Sequence, residues 1–155
     1  MTHDPAAGRP PVDADARLTV TLRVSDVARS VEWYRRVFDR DPVLNTVDRS
    51  LDGRTTPVAG FRLGGVLVWL SPLPAGTTRD PEHNDRNPTL AVMTRRELAP
   101  LYAELVDRGA RSRDDDVSGF PAGADGVRRG RDADFFWIYD LDDNRIEFCR
   151  ALGPG

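Results

Sequence analysis

A chain of 155 residues with one cysteine, Cys149, has no internal disulfide framework and no cysteine-based zinc site, and it is long enough for one domain or for two small repeated modules sharing a core. Its 22 basic and 25 acidic residues leave a net charge of -3 and are spread along the chain, which argues against nucleic acid or an anionic membrane as partner. No window approaches the roughly 20 apolar residues of a membrane span, and the N-terminal residues lack the apolar run of a signal peptide, so the sequence reads as a soluble, cytoplasmic protein.

The chain up to about Arg17 is rich in Pro, Ala, Gly and Asp with no apolar period, and residues 1–17 read as a mobile arm. Order begins at Leu18. The run LTVTLRV sets Leu18, Val20, Leu22 and Val24 on one face of a strand and Thr19, Thr21 and Arg23 on the other. Ser25 and Asp26 offer an N-cap, and VARSVEWYRRVF places Val27, Val31, Tyr34 and Phe38 on one helical face. After a short run near PVLNTV, the segments VAGFRL and VLVWLSPL flank Gly64-Gly65, a two-residue hairpin signal. Pairing Leu63 with Val66 groups Phe61, Leu63, Val66, Val68 and Leu70 on the core side and leaves Arg62, Leu67 and Trp69 opposite. Residues 18–70 therefore read as strand, helix, strand, strand, strand, and the polar residues 71–87 as a linker.

The same order returns over residues 88–152, at an offset of about 70 residues. PTLAVM is a short strand, Thr94 and Glu97 have capping-box spacing, and RELAPLYAELVDRG is a helix with Leu98, Leu101, Tyr102 and Leu105 facing inward. Pro100 falls near its first turns, and Gly109 ends it. ARSRDDDV reads as a charged edge strand, and SGFPAGADGVRRG as a loop that leaves Arg128 to Arg131 solvated. In the closing FFWIYDLDDNRIEFCR, a turn over Asp140 to Asn144 sets Tyr139 opposite Arg145, Trp137 opposite Glu147 and Phe135 opposite Cys149. The even residues Phe136, Ile138, Ile146 and Phe148 are all apolar and must face the helices. The odd set mixes rings with opposite charges, which suits an amphipathic ligand that stacks on rings and hydrogen-bonds at a few points.

Three pieces, VTLRVSDVARSVEWYRRVF, PTLAVM followed by a helix, and FWIYDLDDNRIEF, resemble the vicinal oxygen chelate superfamily of glyoxalases, extradiol dioxygenases, fosfomycin-modifying enzymes and bleomycin-resistance proteins. The resemblance runs from Leu18 to about Leu152. It implies an α+β fold of paired βαβββ modules, a curled mixed sheet around a cleft with helices on the outer face, and a homodimer whose sites include residues from both chains. Metal-using members carry ligands at the start of the first strand, at the start of its equivalent in the second module, and at a glutamate in the last strand. Those positions fall on Thr19, Thr89 and Glu147. Two neutral hydroxyls beside one carboxylate are a poor donor set for a divalent transition metal, and His3 and His83 fall in the arm and the linker, so neither metal nor cofactor is expected. The turn departs from the family's Asp-Pro-Asp-Gly-Asn-like pattern, with Leu141 for Pro and Asp143 for Gly.

The resulting expectation is a metal-free small-molecule-binding protein, not an enzyme, that sequesters a bulky aromatic natural product as bleomycin-resistance proteins do. Trp69, Trp137 and Tyr139 would stack on the ligand, Thr19, Thr21 and Thr89 would hydrogen-bond to it, and Arg23 and Glu147 would meet its polar groups. The alternative is an enzyme: a metal-free isomerase, cyclase or lyase with Glu147 as general base, or a metal-dependent glyoxalase or dioxygenase relative. Against both, Glu147 could pair with Arg23 or Arg145 and do no chemistry, and Cys149, with no histidine to activate it, reads as a plain thiol.

Overall fold

The structure, a computed structural model, describes residues 18–77, 89–113 and 119–152. The expected arm, His3, His83 and most of the expected linker lie outside the described residues. The first module runs β1 (Thr19–Val24), α1 (Val27–Phe38), β2 (Leu44–Asn45), α2 (Val47–Leu51), β3 (Ala59–Leu63) and β4 (Val66–Pro72). The second runs β5 (Leu90–Met93), α3 (Leu98–Asp107), β6 (Arg128–Arg129), β7 (Ala133–Tyr139) and β8 (Arg145–Ala151). Each module forms one open four-stranded sheet, in the orders β1-β4-β3-β2 and β5-β8-β7-β6. Strands β1 and β5 run parallel to β4 and β8, and the other pairings are antiparallel, so both sheets are mixed. This is the α+β architecture of paired βαβββ modules.

Both hairpins hold the registers that strand alternation dictates, with Leu63 against Val66 and Trp137 against Glu147. In the first turn Gly64 takes a φ of 60°, which costs glycine nothing. In the second, Asp143 takes a φ of 62°, a strained conformation for a residue with a Cβ. Its carboxylate is held by Arg111 at 3.0 Å and by Arg113.

Helix α1 starts at an Asp26 cap, whose side chain accepts from Arg29 N at 3.0 Å. The capping box expected over Thr94 and Glu97 does not form. Thr94 Oγ1 accepts instead from Arg96 N at 3.1 Å, and Glu97 gives its carboxylate to Arg150 at 2.5 Å, so α3 begins at Leu98 with no side-chain cap bond. The edge strand expected over ARSRDDDV is also displaced. Arg111 alone makes a single bridge to Tyr139, residues 114–118 lie outside the described residues, and the edge strand of the second sheet is β6, within the segment that reads as loop. Strand β4 extends through Ser71 and Pro72 into the expected linker, and the five-residue α2 interrupts the first module after a two-residue β2. Elements this short carry too few residues for a period to register.

One core joins the two modules. Leu22, Val24, Phe61, Val68 and Leu70 of the first sheet and Phe136, Ile138, Ile146 and Phe148 of the second belong to a single buried cluster with the inner stripes of α1 and α3. Helix α1 serves both halves: it packs on β3 and β4, while the Phe38 ring stacks on Phe148 with centroids 6.4 Å apart. Trp33 Nε1 donates to Gly109 O at 3.1 Å and Arg36 Nε to Arg108 O at 2.8 Å. The β7–β8 turn completes the joint. Buried Tyr34 donates through its hydroxyl to Asp140 Oδ2 at 3.1 Å, Ser25 N donates to Asp142 Oδ1 at 2.9 Å, and Asn144 Nδ2 donates to Arg23 O at 3.2 Å. Among the described residues no helix is long and apolar enough to cross a membrane.

Candidate ligand-binding face

Because strand residues alternate between faces, burying one set of each strand in the shared core turns the alternate set away from it. In the first sheet that outward face carries Thr19, Thr21 and Arg23 on β1, all exposed, beside Leu67, Trp69 and Ser71 on β4. Gly60 on β3 pairs with Trp69, and the indole lies over it: a Cβ there would stand 3.3 Å from Cε3 and Cζ3. The missing side chain is the seat of the ring. Arg23 Nη1 donates to Ser71 Oγ at 2.8 Å, which ties the guanidinium to the next strand.

The outward face of the second sheet is more occupied. Trp137 and Tyr139 are each only 5% exposed, because arginines lie over their rings. Arg128 sits 4.3 Å and Arg145 5.3 Å from the Trp137 centroid, and Arg113 lies 4.6 Å from that of Tyr139. Such pairs contribute about 0.5–2 kcal/mol each, the larger figure when desolvated. Phe135 and Phe120 extend the aromatic floor, with centroids 5.8 Å apart and edge to face. Neither Arg113 nor Arg128 stands out in the sequence as a ring contact. The signal is conditional: once residues 128–129 form a strand, Arg128 falls opposite Phe135 and so joins the ring-bearing face. Arg128, read from the sequence as solvated loop, is in fact buried and donates to Phe120 O.

Glu147 stands half-buried in this face, beside Ala91 in register. Its expected ion pair with Arg23 or Arg145 is absent. Arg145 instead gives Nε and Nη2 to Thr89 Oγ1 at 3.0 and 2.8 Å, and Glu147 Oε1 accepts from Cys149 Sγ at 3.3 Å. Burial, with the hydrogen bond and charge of Glu147 added to it, pushes the Cys149 thiol up to about 11. Alkylation by iodoacetamide at pH 8.5 is therefore expected to be slow. Glu147→Gln should accelerate it, by about tenfold for each unit that the thiol pKa falls. Mass spectrometry of timed samples reads the rate, and identical rates in the two proteins would mean that the thiol does not feel the carboxylate.

The three positions that bind metal in metal-using relatives do not fit one here. Thr89 directs its oxygen to a guanidinium, so a cation already stands where a second would have to approach. Thr19 is an exposed neutral hydroxyl on the other sheet, and Glu147 is a single carboxylate. Among the described residues no group of three or more His, Cys, Asp and Glu could hold an ion. The eight residues expected to bind ligand fall into two sets: Thr19, Thr21, Arg23 and Trp69 on one outward face, and Thr89, Trp137, Tyr139 and Glu147 on the other. Within one chain the shared core separates these faces.

This arrangement has counterparts among known proteins. The family described as Glyoxalase/Bleomycin resistance protein/Dioxygenase superfamily matches residues 17–148. No curated protein matches the chain. Among solved structures, the fosfomycin resistance protein FosX from Listeria monocytogenes superposes with a TM-score of 0.61 at 13% identity, covering 92% of this chain and 97% of that one. TioX from Micromonospora sp. ML1 gives 0.53 at 20% identity, with coverages of 88% and 99%. A glyoxalase/bleomycin resistance protein from Catenulispora acidiphila DSM 44928 gives 0.51 at 17% identity, with coverages of 88% and 98%. Identities this low speak for the fold alone, and the family match over most of the chain carries the assignment. The chain belongs to the glyoxalase/bleomycin resistance protein/dioxygenase superfamily.

Proposed function

We propose that this protein binds a bulky aromatic natural product without a metal, in a cleft that its two outward faces form together in a homodimer, and that it acts by sequestering the compound. One observation carries the reading: where metal-using relatives have ligands this chain has two threonines, one of them held by Arg145, next to a floor of rings overlaid with guanidinium groups. Such a floor favours a flat ligand whose edge is rich in oxygen acceptors or carries negative charge. The separation of the half-sites supports a homodimer, since the core lies between them in a single chain. The family match supports the class of activity, since its description includes bleomycin resistance proteins.

The test is a panel of aromatic natural products titrated against tryptophan fluorescence, with the ligand recovered afterwards and weighed by mass spectrometry. Sequestration predicts quenching, unaltered ligand, a dimer by sedimentation and no stoichiometric transition metal in the protein as purified. Chemically altered ligand would sink it, and would favour the second reading, in which Glu147 is a general base. That reading has its own support, because Glu147 is half-buried and paired with a thiol rather than an arginine. Glu147→Gln separates the two: a base predicts turnover reduced by orders of magnitude with binding retained, and sequestration predicts only a changed affinity.

A further inference from the structure

A further cavity is centred on neither outward face. It opens at the joint between the modules, has a volume of about 570 Å³, and is floored by Phe38, Leu63, Val92 and Phe148. Leu63, Val92 and Phe148 come from the core-facing sides of their sheets, so the core is incomplete here and leaves the stacked Phe38 and Phe148 rings accessible at the joint. Two guanidinium groups, those of Arg40 and Arg62, line its rim. The carboxylate that also lines it, Asp41, is taken: Arg35 donates to it through Nε at 2.9 Å and Nη2 at 2.7 Å. The guanidinium groups of Arg40 and Arg62 enter no ion pair or hydrogen bond among the described residues, and both residues line this one cavity.

We propose that this joint is a second binding site, for a small amphipathic anion with an aromatic or branched apolar body and one carboxylate. The volume falls within the range of small-molecule pockets, the two rings match a flat apolar body, and the two uncompensated cations at the mouth match one anionic head. The guanidinium fork binds a carboxylate at two points, which an alcohol cannot reproduce. The site uses none of the eight residues expected to bind ligand on the outward faces, so its occupancy and that of the proposed cleft are separable.

The experiment is a titration of the full chain with 2-naphthoate and with uncharged 2-naphthalenemethanol, followed by methyl resonances in NMR and by calorimetry. Saturable naphthoate binding is expected to shift the methyl signals of Val43, Leu63 and Val92. Arg40→Gln with Arg62→Gln should weaken naphthoate at least tenfold and leave the alcohol unchanged, and Val92→Trp should block both by filling the floor. Naphthoate binding that is equally tight in the double variant would overturn the proposal, as would shifts confined to the outward faces or the absence of saturation at millimolar concentration. The last result would also follow if a second copy of the chain covered the joint, and it would exclude the site all the same. Failure of the natural-product panel on the outward faces leaves this titration unaffected.

Discussion

Asp140→Ala is expected to cost about 3–4 kcal/mol and to lower the melting temperature by on the order of 10 °C. Asp140 is buried at the joint, and its two oxygens accept four hydrogen bonds. Oδ1 receives Asp142 N at 2.9 Å and Asn144 N at 2.8 Å, and Oδ2 receives Asn144 Nδ2 at 2.8 Å and the Tyr34 hydroxyl at 3.1 Å. Removing the carboxylate strands those donors in a place that water does not reach, which costs more than the bonds themselves contribute. Tyr34→Phe removes a single donor and should cost only about 1 kcal/mol. Equal losses in the two variants, read from urea titrations, would show that the turn is not the hub.

The same carboxyl sets a pH dependence. Burial is the largest influence on Asp140 and holds its pKa above the ordinary carboxylate range, against the opposing pull of its donors. The folded chain therefore keeps this proton to higher pH than the unfolded chain does. Its contribution to stability is greatest in acid and declines as pH rises from about 4 through the folded pKa. Asp140→Asn removes that titration, so the stability difference between wild type and variant should shift against the wild type across this window. Half-buried carboxylates such as Glu104 and Asp125 are held low by arginine neighbours and contribute the opposite slope to both proteins, and they cancel in the difference.

The second large effect is expected at Gly126. It takes a φ of 76°, and a Cβ built there would fall inside the Tyr102 ring, so Gly126→Ala meets both backbone strain and a side-chain collision. Left-handed strain of about 1 kcal/mol and overpacking of about 1–3 kcal/mol together give about 2–4 kcal/mol. The ring cannot simply retreat, because Tyr102 packs edge-on against Phe136 with centroids 5.3 Å apart. Tyr102→Leu should relieve most of the collision, leaving Gly126→Ala to cost about 1 kcal/mol in that background. The consequence reaches the aromatic face as well. Gly126 lies in the tight loop in which Gly123 N donates to Val127 O, and two residues on is Arg128, whose guanidinium covers Trp137. A change in tryptophan emission should accompany the loss of stability, and emission identical to wild type would separate the loop from the ring.

The long alternating runs made most of this fold legible. LTVTLRV and FFWIYDLDDNRIEFCR carry enough period-two signal to fix both the faces and the registers, down to Trp137 opposite Glu147. What the sequence hid falls into two kinds. Strand β6 is two arginines, with no apolar residue to mark it, and it exists because the edge of β7 was open to pairing. The roles of Asp140, Arg113 and Arg145 depend on partners distant in the chain, and local propensity is silent about those. Asp140 belongs to a segment that reads only as a turn, yet its partner Tyr34 is 106 residues away. Glu147 shows the same limit from the other side: charge alone suggested an arginine partner, and the pleat supplied a thiol two residues along its own strand.

The two outward faces differ in how tightly they are bound up with folding, and this makes their mutational latitude unequal. Thr19 and Thr21 stand exposed on a strand whose other side alone enters the core, so exchanging them leaves the folding free energy nearly untouched, within about 0.5 kcal/mol, whereas Arg23 beside them is bonded to Ser71. Trp137 and Tyr139 are clasped by arginines from the edge strand β6, the start of β8 and the segment after α3, and changing either disturbs contacts that also hold those pieces in place. Substitution on the outward face thus costs the fold least in the first module, while the second is held to its residues by the fold.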